Sequence, residues 1–62
     1  MKFKMEGKEA ELAFEGTAGE LLRLMKLSRE SHIVKLNGRI VPDGEKISEG
    51  DSVELLRVIY GG

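Results

Sequence analysis

Sixty-two residues allow one small domain and little else, because a chain of this length buries only ~60% of its unfolded surface and has no room for a large enzyme with its own cofactor fold. Ten Lys and Arg against eleven Asp and Glu leave a net charge of -1, without the positive excess that drives generic nucleic-acid binding; 40% hydrophobic and 34% charged residues suit a small core under a soluble surface. The chain has no cysteine, hence no disulfide, thiolate nucleophile or cysteine zinc site, and no apolar run near the ~20 residues of a membrane span or a signal peptide, so the expected location is the cytoplasm.

The chain opens with alternation. Phe3 and Met5 point one way and Lys2 and Lys4 the other; after Glu6-Gly7-Lys8, the run Ala10, Leu12, Phe14 alternates with Glu9, Glu11, Ala13 and Glu15. This pattern predicts an amphipathic hairpin turning at Gly7, with lysines on one strand and glutamates on the other as a solvated, cross-paired face. Thr17, followed three residues later by Glu20, has the form of a capping box and predicts a helix from Ala18. Ala18, Leu21, Leu22 and Met25 make one helical stripe, which Leu24 and Leu27 widen. The polar run Ser28 to His32 then ends a helix of about three turns.

β-branched character returns at Ile33-Val34-Lys35-Leu36, and Asn37-Gly38 separates it from Arg39-Ile40-Val41. Asn-Gly between two such runs is the strongest short hairpin signal, because both central turn residues need positive φ. Pro42-Asp43-Gly44 closes that strand, a short piece follows at Lys46-Ile47, and Glu49-Gly50-Asp51 turns into the longest apolar run, Ser52 to Tyr60. A run this apolar reads as a central strand, lying beside the first strand and parallel to it. The fold class is therefore α+β, a two-layer roll in which a mixed sheet packs on one helix, with Leu12, Leu22 and Leu55 buried between them. If Val53 and Leu55 face the helix, then Leu56, Val58 and Tyr60 form an outward apolar stripe of the kind that marks protein contacts, with Arg57 on the alternate side.

The catalytic inventory is thin. His32, with Ser28 and Ser31 beside it, reads as a polar loop residue, since a nucleophile needs a base oriented by a third group inside a pocket. No carboxylates or histidine stand at metal-ligand spacing, and no glycine-rich loop opens onto the helix, so the chain itself is expected to bind no metal and no cofactor. What remains is Gly61-Gly62. Placed directly after a central strand, these residues form a tail with no side chain, suited to threading through a slit too narrow for a Cβ so that another protein can react on the Gly62 carboxylate.

The order of elements, the Asn37-Gly38 hairpin with Arg39-Ile40-Val41-Pro42, the Gly50-Asp51 turn and the final strand running into Gly61-Gly62 resemble the ubiquitin-like β-grasp sulfur carriers: ThiS, MoaD and the archaeal small modifier proteins. The resemblance covers the whole chain as one domain, 1–62, and the Asn-Gly-x-x-Val segment is more similar to ThiS and the archaeal modifiers than to MoaD. It implies a co-substrate, not an enzyme, and a monomer when alone. A ubiquitin-activating-like adenylyltransferase, which itself holds ATP and magnesium, would join Gly62 to AMP, with Gly61 threading its slit and Leu56, Arg57, Val58 and Tyr60 as the docking surface. Sulfur would then displace AMP to leave a thiocarboxylate, and a sulfurtransferase, or a thiazole or molybdopterin synthase subunit, would pass it toward thiamine, molybdopterin or a tRNA base. Two rival readings are a modifier whose activated Gly62 is attacked by a lysine of another protein, giving an isopeptide conjugate, and an interaction module with no reactive terminus.

Overall fold

In the computed structural model, which describes residues 1–58, strands β1 (Lys2–Met5) and β2 (Lys8–Glu11) are joined by Glu6 and Gly7, both at positive φ, 52° and 78°. Asn37 and Gly38 do the same, at 52° and 85°, between β4 (His32–Leu36) and β5 (Arg39–Val41). Paired positive φ values give the turn whose twist matches that of the flanking strands, so each hairpin sets its own register. β7 (Ser52–Arg57) lies between the two hairpins, parallel to β1 and antiparallel to β4, and completes a five-stranded sheet in the order β2-β1-β7-β4-β5. The central, parallel placement of the last strand agrees with its apolar composition. Mixed sheet and single helix make the β-grasp roll.

The helix α1 (Ala18–Leu24) is held at its start by the expected capping box: the Thr17 hydroxyl accepts from the Glu20 N–H at 3.1 Å and the Glu20 carboxylate accepts from the Thr17 N–H at 2.8 Å. The Thr17 N–H above all holds the Glu20 carboxyl below its ordinary value. The Ala18 and Gly19 N–H groups donate to the carbonyls of Glu45 and Asp43 at 2.9 and 2.8 Å, so the loop after β5 satisfies the remaining donors of the first turn. A Cβ on Gly19 would stand 3.2 Å from the Asp43 Cβ and 3.3 Å from its carbonyl, which is why this closure suits glycine.

At seven residues, the helix has about two turns rather than three. The Lys26 N–H donates to the Arg23 carbonyl at 3.0 Å and the Leu27 N–H to the Leu22 carbonyl at 2.9 Å, with Lys26 at φ 60°. That is a Schellman stop, with lysine where glycine usually signals it. Leu24 is 60% exposed instead of widening the stripe, whereas Ala18, Leu21 and Leu22 are buried and Met25 and Leu27 pack half-buried against them. Their counterparts on the sheet are Val34, Leu36, Val53 and Leu55, with Met1 and Ile47 closing the core. Leu22 and Leu55 are buried as expected, but Leu12 is only half-buried, because β2 ends at Glu11 and the chain reaches the core's margin from an irregular segment.

Two strands of two residues each, β3 (Gly16–Thr17) and β6 (Lys46–Ile47), pair antiparallel in a separate small sheet. This pairing was not read from the sequence. It carries Ile47, 1% exposed, into the core. His32, read as a loop residue, is instead the first residue of β4.

Candidate functional site

The two short motifs that flank the final strand meet in space. The Asn37 side-chain amide donates to the Asp51 carboxylate at 3.0 Å, and its side-chain oxygen accepts from the Ser52 N–H at 2.9 Å. The Asn37 N–H donates to the Ser52 carbonyl at 2.7 Å, while the other Asp51 oxygen accepts from the Ser48 N–H at 2.8 Å. The Asn-Gly hairpin and the Gly-Asp turn are thus one clamp on the entry to β7. The Asn37 amide, and after it the Ser48 N–H, hold the Asp51 carboxyl below its ordinary value of 3.8. Because the native value is depressed, this stabilisation is fully present above the unfolded value and is lost as pH falls through the native one. Stability in acid should therefore decline less steeply in Asp51→Asn than in the parent chain, in melting curves recorded from neutral pH down to below that of a free aspartate. A parallel pair of curves would mean that the clamp does not discriminate the charged form.

β7 then runs through the centre of the sheet with alternate residues on opposite faces. Val53 and Leu55 face the helix and are 2% and 1% exposed. On the outer face, the register sets Glu9, Lys4, Glu54 and Lys35 in one row across four strands, each opposite a charge of the other sign. The expected lysine and glutamate partnering is thus continued across β7 into β4. An open depression of about 500 Å3 over this row is lined by the paired charges together with Lys2 and Glu11 and is no enclosed catalytic pocket. Among the described residues, no group of His, Cys, Asp and Glu is arranged to hold a metal ion, and no helix is long and apolar enough to cross a membrane.

One step further along β7 the outer face turns apolar. Leu56 is 36% exposed and sits opposite Ile33 of β4; Ile40 of β5, opposite Lys35, is 67% exposed. Leu56 therefore takes the outward position that alternation gave it. Val58 is half-buried, and its N–H donates to the Ser31 carbonyl at 2.8 Å, so it belongs less to an open stripe than expected. Arg57 is exposed on the alternate side, with His32 as its cross-strand partner. Tyr60, Gly61 and Gly62 lie outside the described residues. Ile33 and Ile40 were not singled out from sequence. The Asn37-Gly38 turn held the signal: once it fixes the register, Val34 and Val41 point inward and Ile33 and Ile40 must point out.

The model of the ThiS family matches residues 2–62. The chain belongs to the ThiS family. The match takes in the clamp, the whole of β7 and the Gly61-Gly62 end. Among solved structures, the crystal structure of a thiamine biosynthesis protein (ThiS) from Geobacter metallireducens is 30% identical, covers 100% of both chains and superposes with a TM-score of 0.67. A solution structure of a thiamine biosynthesis protein from the same organism is 28% identical and covers 100% of this chain and 88% of the other, with a TM-score of 0.62. These likenesses agree with a small β-grasp sulfur carrier.

Proposed function

We propose that this chain carries sulfur for thiamine biosynthesis on the carboxyl group of Gly62. The observation that supports this most is the family match extending through the Gly-Gly end, which follows the central strand closely in sequence. A carboxylate is a poor acyl donor because oxide would have to leave. On an adenylyltransferase partner that holds ATP and magnesium, the Gly62 carboxylate attacks the α-phosphorus and pyrophosphate departs. The resulting mixed anhydride has AMP as a good leaving group. Hydrosulfide attacks the carbonyl and expels AMP, or a sulfurtransferase persulfide does so and a second thiol then reduces the acyl disulfide, and either route leaves a thiocarboxylate as a sulfur nucleophile for a thiazole-forming partner. Gly61, without a Cβ, lets the chain end pass a narrow channel. Leu56 with Ile33 and Ile40 gives the partner an apolar surface, and Arg57 offers a cation on the other side of the strand.

The test is ATP-pyrophosphate exchange with a purified ubiquitin-activating-like adenylyltransferase. The parent chain should support exchange and, with a sulfur donor, gain the mass that replaces one oxygen by sulfur. Deleting Gly62 should abolish both while leaving the melting curve in place. Equal exchange by the truncated chain would sink the proposal.

A further inference from the structure

Val58 is the last described residue before the tail, and the bond from its N–H to the Ser31 carbonyl extends the β4–β7 ladder one step beyond the His32 and Arg57 pair. The turn that presents the Ser31 carbonyl is tied to the Ser28 carbonyl, which accepts from the Ser31 N–H at 3.2 Å and from the Ser31 hydroxyl at 3.3 Å. The Glu30 N–H donates to the Ser28 hydroxyl at 3.2 Å. The imidazole of His32 closes this turn. Its Nδ1 stands 3.0 Å from the Ser28 carbonyl and 3.1 Å from the Ser31 hydroxyl oxygen. With the Ser31 hydroxyl donating to the Ser28 carbonyl, and that carbonyl able only to accept, all three contacts are satisfied together when Nδ1 carries the proton. His32 is half-buried at the start of β4, and without its imidazole the Ser28 carbonyl keeps only the Ser31 N–H and hydroxyl as donors.

We propose that His32 is a positioning residue for the reactive Gly62: by bracing the Ser28–Ser31 turn through Nδ1, it holds Val58 and so fixes the last sheet position from which the chain continues to Gly62. The inference rests on the acyl-transfer role of Gly62 proposed above. Four residues extend at most ~3.3–3.6 Å each, so the anchor at Val58 limits where the carboxyl group can be presented. If that anchor opens, the stretch between the last ladder bond and Gly62 lengthens. One residue more in the tether alone dilutes the carboxyl group by less than about twofold, and misplacement of a reacting group by about 1 Å costs ~100-fold. A loss of about tenfold in kcat for adenylation lies between these limits. KM should hold, because Leu56 and Arg57 stay in the ladder.

Three variants separate bracing from bulk. In His32→Asn the amide nitrogen can take the place of Nδ1 as donor to Ser28. In His32→Gln the donor is displaced by one methylene, and His32→Ala has none. Exchange kinetics with the adenylyltransferase should show kcat lowered about tenfold at constant KM in the Ala and Gln variants and restored in Asn. Amide hydrogen exchange of the free chain should show Val58 losing protection in the same two variants. Unchanged kcat in both, equal loss in Asn and Gln, or Val58 protection equal to the parent's would each overturn the inference. Should the Ala variant fail to fold, the Asn and Gln pair carries the comparison. A parent chain that supports no exchange at all overturns the role of Gly62 instead, an outcome distinct from a parent that works and variants that match it.

Discussion

Leu55→Ala should cost ~2–5 kcal/mol and remove half or more of the stability of the chain. At ~0.05–0.15 kcal/mol per residue, a protein of this size has roughly 3–9 kcal/mol in total. Leu55 is 1% exposed in the central strand, with Met5 as its neighbour on β1 and Val34 on β4. Strands on both sides prevent the sheet from collapsing into the vacated space, so the upper part of the range applies. With a melting shift of about 4–8 °C per kcal/mol for so small a domain, thermal unfolding should move by tens of degrees. Leu22→Ala, on the facing helix, should act alike, whereas Leu12→Ala at the half-buried margin should cost clearly less. Equal losses at Leu12 and Leu55 in denaturant titrations would contradict this ranking.

Leu56→Asp should weaken binding to the adenylyltransferase by ~10–100-fold, the equivalent of ~1.4–2.8 kcal/mol, while lowering stability by no more than ~1 kcal/mol. The side chain lies on the outer face, and the strand's inward contacts are made by Val53 and Leu55. Ile40→Asp probes the same patch from β5 at a more exposed position. Val58→Asp is a poorer probe, since Val58 is half-buried. Titration calorimetry showing unchanged affinity for Leu56→Asp and Ile40→Asp would place the docking surface elsewhere on the molecule.

What could be read in advance was what local chemistry dictates. Asn37-Gly38 announced its hairpin because few other pairs accept two positive φ values, and Thr17 with Glu20 announced the helix start because the two side chains satisfy donors three residues apart. The helix stop was missed for the converse reason: Lys26 adopts the left-handed conformation without being a glycine, so the polar run after it appeared to mark the end. The strands β3 and β6 were invisible as a pair, because two residues carry no periodicity and only tertiary contact aligns Gly16 with Ile47. The contact of Asn37 with Asp51 needed the fold as well. For the candidate site, Leu56 was legible from alternation in a single strand. Ile33 and Ile40 required the register of three strands to be known together.

The position of β7 bears on how the chain matures during synthesis. The β1–β2 and β4–β5 hairpins leave the ribosome first, yet they share no ladder with each other; each meets the rest of its sheet only through Ser52–Arg57. Two-stranded hairpins are marginal alone in water, so a nascent chain halted before Ser52 has no stable sheet face for a partner to recognise. The sheet face is complete only once Ser52–Arg57 has emerged and joined the two hairpins. A chain that lacks β7 therefore lacks the sheet on which the proposed docking surface stands.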